Sequence, residues 1–214
     1  TGAGTSAEAL AEAAAVVTAG RTSASAPLAA AVQSELRELG MPDARIEIAL
    51  TQLPEIAASG AERPEISFSA GENQPMLPLA KVASGGELSR AMLALRSVLV
   101  DLDDVPTLVF DEVDAGIGGR AGVAVGRRLA RLAATRQVLV VTHLPQIAAF
   151  ADRHIRVEKR AGTASVGALD DGGRIEELTR MLSGLPGSEA AATHAEELIA
   201  EAAKAKRSVA GTAR

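Results

Sequence analysis

Three carboxylates and a histidine stand where the chain leaves short apolar runs. Thr107-Leu-Val-Phe-Asp111-Glu112-Val-Asp114 puts an acidic pair directly after residues of the kind that form a strand buried on both faces. Read alone, the pair is a polar strand end turning into a loop. It also suits Mg²⁺ chemistry: Asp111 can hold a hydrated metal, and Glu112 can take the proton of an attacking water. Asp114 adds charge that would be costly to cluster without a cation nearby. Further on, Val138-Leu-Val-Val-Thr142-His143 ends a second apolar run in a histidine. A lone histidine there is commonly a satisfied structural residue. Neighbouring strand ends in a parallel sheet, however, converge on one crevice, which would bring His143 to the acidic pair. His154 and His194 have no such company and receive no role. With no cysteine and scattered histidines, no zinc-ligand spacing exists.

Two glycine-containing segments bear on phosphate. Ser84-Gly85-Gly86-Glu87 is a capping box, a serine followed three residues later by a glutamate at the start of an apolar-periodic run. Its two glycines would also expose backbone N–H groups at the positive end of a helix, a ready site for a phosphate. Gly116-x-Gly118-x-x-Ala121 satisfies the relaxed dinucleotide pattern, yet Asp111, Glu112 and Asp114 would face the pyrophosphate, and the next strand ends without an acid for the ribose. It is read as a decoy. No lysine follows a glycine anywhere in the 214 residues, so the G-x-x-x-x-G-K-[ST] phosphate loop is absent.

Periodicity supplies the scaffold on which these residues sit. Leu28, Val32, Leu36 and Leu39 recur at helical spacing and end at Gly40. Residues 45–50 and 65–69 read as strands, with a loop or short helix over 54–64. A helix follows the capping box to about residue 100, and another covers 120–134 between the two apolar runs. Edge-type strands at 155–158 and 164–169 and helices at 175–182 and 189–203 complete the pattern. Helices alternating with apolar strands indicate an α/β layer structure with a mostly parallel sheet. Residues 1–26, rich in Ala, Gly, Ser and Thr, read as a linker or tail in which 8–17 could be a helix, and 204–214 as a flexible tail.

Composition narrows the function. A net charge of −5 means that any DNA contact must come from a local patch. Three Phe with no Trp or Tyr leave almost no surface for stacking on bases. The absence of cysteine excludes a disulfide framework, and no apolar run approaches the roughly 20 residues of a membrane span.

Taken together, the motifs resemble those of the ABC-type ATPases, and within them the RecN-like DNA repair proteins related to the SMC family. Ser84-Gly-Gly-Glu-Leu-Ser-Arg90 resembles the ABC signature in its Glu-containing form, and Leu-Val-Phe-Asp111-Glu112 resembles Walker B with its catalytic Glu. Val113-Asp-Ala-Gly-Ile-Gly-Gly119 is similar to a Gly-rich D-loop, and Thr142-His-Leu-Pro-Gln-Ile-Ala148 to the switch-histidine segment. The resemblance is strong over 77–158, fair over 28–53 and 174–200, and absent over 1–25.

It implies the C-terminal half of an ATPase head (residues 41–203) lacking the Walker A half, with 27–40 as the base of a returning coiled-coil helix and 1–26 as a linker or arm remnant. It implies ATP and Mg²⁺ as cofactors, with Asp111 toward the metal, Glu112 and His143 in hydrolysis, and Ser84, Gly85, Gly86 and Glu87 on the ATP of a second head. Asp114 and Gly116 would belong to the D-loop that couples two sites. The implied partners are the N-terminal Walker A half, a second copy through ATP-bound heads, and double-stranded DNA, with ends favoured; no membrane is implied. The implied setting is recombinational repair of double-strand breaks in a bacterial cytoplasm, at the nucleoid. Rival expectations are a chromosome-organising SMC head, a transporter's nucleotide-binding subunit, disfavoured by Glu87, and a catalytically silent interaction module.

Overall fold

A computed structural model describes residues 2–82, 85–100, 102, 105–160, 162–184 and 188–212. The chain folds as two compact units, residues 1–84 and 85–214.

In the first unit a single helix, α1 (Gly2–Glu38), packs on an antiparallel hairpin of β1 (Arg45–Ala57) and β2 (Gly60–Ser69). Val32, Leu36 and Leu39 are fully buried with Met41, Ala44, Ile46 and Phe68, as their helical spacing requires. The low-complexity stretch is helical from Gly2 and continuous to Glu38, in line with the helix allowed at 8–17 and not with a linker or tail. Pro27 lies within α1 on an exposed face, and polar side chains tie the helix to the hairpin. Thr18 donates to the buried Glu62, and Arg21 donates to the carbonyls of Glu62 at 3.1 Å and Ser59 at 2.6 Å.

The expected loop or short helix over 54–64 is instead the body of this hairpin. Pro54 falls where the pairing shifts register between Gln52 and Ala57. Pro64 pairs with Leu50, beyond the reach of β3 (Leu77–Pro78), which pairs only with Ser67 and Phe68. A bulge and an edge are both places where a strand tolerates a residue without an N–H. Gly60 closes the turn with φ +115°, and a Cβ there would meet Arg21 and Val17 of α1 at 3.0 and 3.3 Å.

The second unit begins with α2 (Gly85–Val98), followed by β4 (Thr107–Phe110), α3 (Gly119–Ala133) and β5 (Gln137–Val140). β4 and β5 pair in parallel, Val109 opposite Leu139 and Phe110 opposite Val140, with α3 as the crossover. They are not buried on both faces: Val109, Leu139 and Val141 are 69%, 47% and 63% exposed. The parallel part of the α/β fold is therefore two strands among the described residues, one face being left uncovered by this chain.

A short helix, α4 (Pro145–Ala148), follows the histidine strand, then a hairpin of β6 (Ile155–Arg160) and β7 (Thr163–Ala168). α5 (Asp171–Ser183) and α6 (Glu189–Thr212) bury Leu178, Ala195, Leu198 and Ala202 against Ala148, Ala149 and Phe150. α5 starts four residues earlier than periodicity suggested because Asp170 caps it, accepting from the Gly173 amide at 2.8 Å. The expected tail 204–214 is helical to Thr212, and Lys206 pairs with Asp152 at 2.7 Å.

Candidate active site

The carboxyl ends of β4 and β5 lie side by side, and the segment leaving β4 is bonded to the segment leaving β5. Asp114 is the joint. Its side chain is 4% exposed, and one oxygen, Oδ2, accepts from the Thr142 hydroxyl and from the His143 amide at 2.8 Å, and lies 3.0 Å from His143 Nδ1 as an ion-pair contact. Thr142 Oγ1 in turn accepts from the Leu144 amide at 3.0 Å, fixing the start of α4. Burial alone would raise the Asp114 pKa. The bonds from Thr142 and the His143 amide, with the imidazole charge, outweigh it and hold the carboxylate below its ordinary value. The charge expected to need a cation is met by these donors instead. His143 is 75% exposed; with Nδ1 on Asp114, it has Nε2 left for a ligand.

Glu112 is the only non-glycine among the described residues with positive φ, at 56°. Such a conformation is strained for a side chain with a Cβ and is kept only where surroundings enforce it. Here the enforcement comes from α2. Gly86 meets the turn so closely that a Cβ on it would lie 2.6 Å from Ala115 Cβ and 2.9 Å from the Ala115 carbonyl oxygen. A Cβ on Gly85 would lie 1.8 Å from Glu112 Oε2, so the carboxylate rests on the first residue of the helix. A carboxylate at a helix N-terminus is favourably placed against the macrodipole. The paired glycines thus have an intramolecular use beside the phosphate one: they let the Asp111–Ala115 turn dock on α2. Gly116 carries φ +74° just beyond that turn.

Arg90, quoted in the signature segment but given no role of its own, is the residue that composition and spacing missed. It is 6% exposed and donates to the Ala115 carbonyl at 2.6 Å and the Val113 carbonyl at 3.5 Å. Burial lowers its pKa while Glu87 and Asp114 raise it, and a guanidinium stays charged throughout. Its sequence signal was an arginine three residues after Glu87 on the face that also buries Ala91, Leu93 and Ala94. Ser89 adds a bond to the Asp111 carbonyl at 2.7 Å. Ser84 lies outside the described residues.

Asp111 Oδ1 accepts from the Glu112 amide at 2.9 Å. No group of three His, Asp or Glu able to hold a metal exists among the described residues. A single carboxylate at a strand end fits a Mg²⁺ that takes most of its ligands from phosphate and water, and does not make a metal site by itself. His154 and His194 stand apart from this cluster, His194 beside Glu197 at 3.3 Å. No described helix is long and apolar enough to cross a membrane.

No protein-family model matches the chain. It is 49% identical over 203 residues to the DNA repair protein RecN of Streptomyces coelicolor, covering 87% of this chain and 35% of that protein. It is 53% identical over 178 residues to RecN of Deinococcus radiodurans (81% and 31%), and 46% over 208 to that of Mycobacterium leprae (87% and 35%). The chain spans about a third of the length of these relatives. In fold it is similar to the Smc head domain with coiled coil and joint from Pyrococcus yayanosii, with a TM-score of 0.54 at 21% identity over 73% of this chain and 29% of that one. With these identities, over four fifths or more of its length, the chain belongs to the RecN family.

Proposed function

We propose that this chain is the C-terminal part of an ATPase head that works in recombinational repair of DNA double-strand breaks, on the chromosome in the bacterial cytoplasm. The observation that carries the reading is the Asp114 carboxylate joining the acidic turn to His143 at 3.0 Å. An acid that buries itself to orient an exposed imidazole is an expensive feature for a binding module and an ordinary one for a hydrolytic site.

In this reading the phosphate loop comes from the Walker A half, which this chain lacks. Asp111 would hold a Mg²⁺, which would supply charge neutralisation at the transferring phosphate. Glu112 orients and deprotonates the water. His143 holds the γ-phosphate through Nε2, its ring fixed by Asp114. Ser84 and the Gly85 and Gly86 amides, with Glu87, meet the ATP of a second head, so hydrolysis requires dimerisation and ATP acts as a clamp. Asp114 and Gly116 form the D-loop. In this reading they couple the two sites across the interface between heads. Double-stranded DNA, with ends favoured, is the proposed partner.

The test is Glu112→Gln in the intact protein. Turnover should fall by about 10²-fold or more, as loss of a general base does, while ATP traps a dimer detectable by light scattering. Normal turnover in that variant would remove Glu112 from its role.

A further inference from the structure

Between Ala115 and Ala151 the chain holds five arginines and no acid, against 17 basic and 27 acidic residues elsewhere. The excess is concentrated on α3, whose charged residues are Arg120, Arg127, Arg128 and Arg131. Arg128 is buried, but the other three are exposed. Steps of seven and four residues, about two turns and one turn, put these three on one stripe. The helix buries Gly122, Val125, Gly126, Leu129 and Leu132 on the opposite side. A solvated helix face ordinarily mixes signs along its length. This one carries only guanidinium groups among alanines.

The surroundings leave the stripe largely unneutralised. Arg127 pairs with Glu201 of α6 at 2.6 Å, both side chains about half exposed. Such a pair contributes little and is readily exchanged for another anion. Arg120 and Arg131 have no ion pair among the described residues. In a chain of net charge −5, the stripe is a local patch of the kind a DNA contact by these residues requires. With almost no aromatic residues to stack on bases, the chemistry on offer is phosphate recognition by guanidinium forks.

From this we infer that the arginine stripe of α3 is a contact surface for the phosphate backbone of duplex DNA, independent of base sequence. The inference rests on the DNA-repair reading above and assigns it a surface.

The test compares Arg120→Gln/Arg131→Gln with the wild type of the intact protein on a blunt duplex, by fluorescence anisotropy across a salt series. An Arg37→Gln/Arg63→Gln variant loses the same charge elsewhere and serves as the control. Loss of two phosphate contacts should weaken binding by about tenfold or more near 0.1 M salt and make the log–log salt slope shallower by about 1.8. The control should match the wild type, and the thermal transition of both variants should be unchanged. Equal affinity and slope in the α3 variant would overturn the proposal, as would an equal loss in the control, which would reduce it to net charge. No binding by the wild type at all would instead end the DNA reading itself, and the surface with it.

Discussion

Asp114 reaches its place by burying a carboxylate that desolvation penalises, and the bonds it gains more than offset the cost. Glu177 behaves alike, its pKa lowered first by the Arg180 hydrogen bond against the opposing effect of burial. A carboxylate depressed in the folded state contributes stability that is complete above its unfolded pKa of about 4 and lost as pH falls through the folded value. We therefore expect urea-unfolding free energy to fall below about pH 4. Asp114→Asn and Glu177→Gln should each flatten that acid limb. An acid limb of the same steepness in both variants would contradict the assignment. Arg90 gives a second prediction. Arg90→Met keeps much of the volume but strips the donors from two carbonyls, costing about 1–3 kcal/mol in urea denaturation. Turnover of the intact protein should drop by about tenfold or more, with KM for ATP little changed, because the loss lies in positioning. At this scale the approach of the acidic turn to His143, made through Asp114, was legible because strand ends in parallel sheets converge. The roles of Arg90 and of Asp114 as aimer of the imidazole were not, because backbone carbonyls as acceptors leave no pattern in sequence.

Helix α3 is shaped by what its neighbours insert into it. A Cβ at Gly126 would lie 2.5 Å from Phe150 Cδ2 and 3.1 Å from the Gln146 carbonyl oxygen, so the glycine is the socket for the ring. At Gly122 the nearest atom is Gln146 Cβ at 3.2 Å, a contact that can give. Gly126→Ala should destabilise by about 1–3 kcal/mol through overpacking, and Gly122→Ala by less, in urea titrations of the two variants. Equal stability of Gly126→Ala and the wild type would mean that α3 and α4 do not meet as described. Elements with strong periodicity, α2, α3 and the body of α5, were readable to within a few residues. The length of α1 was not. Its first half is held by Thr18 and Arg21 reaching Glu62, contacts to a hairpin far along the chain. The hairpin was itself hidden by Pro54 and Pro64, residues that argue against strands unless the bulge and the edge are known.

At the scale of the whole molecule, the parallel pair displays Val109, Leu139 and Val141 on an open face, where the sequence pattern calls for burial. The pattern was written for a larger sheet than these residues make, in keeping with a chain that spans a third of its relatives. That is why an α/β head could be inferred from apolar runs whose burial this chain does not complete. It also sets the central claim: the acidic turn and His143 are half of an ATP site. The direct measurement is ATP turnover by the 214-residue chain alone, then after assembly with its Walker A half. The account predicts no turnover alone and turnover on assembly, abolished when the added half lacks its phosphate-loop lysine. Turnover by the isolated chain at the assembled rate would contradict it, since the chain would then hold a phosphate site of its own.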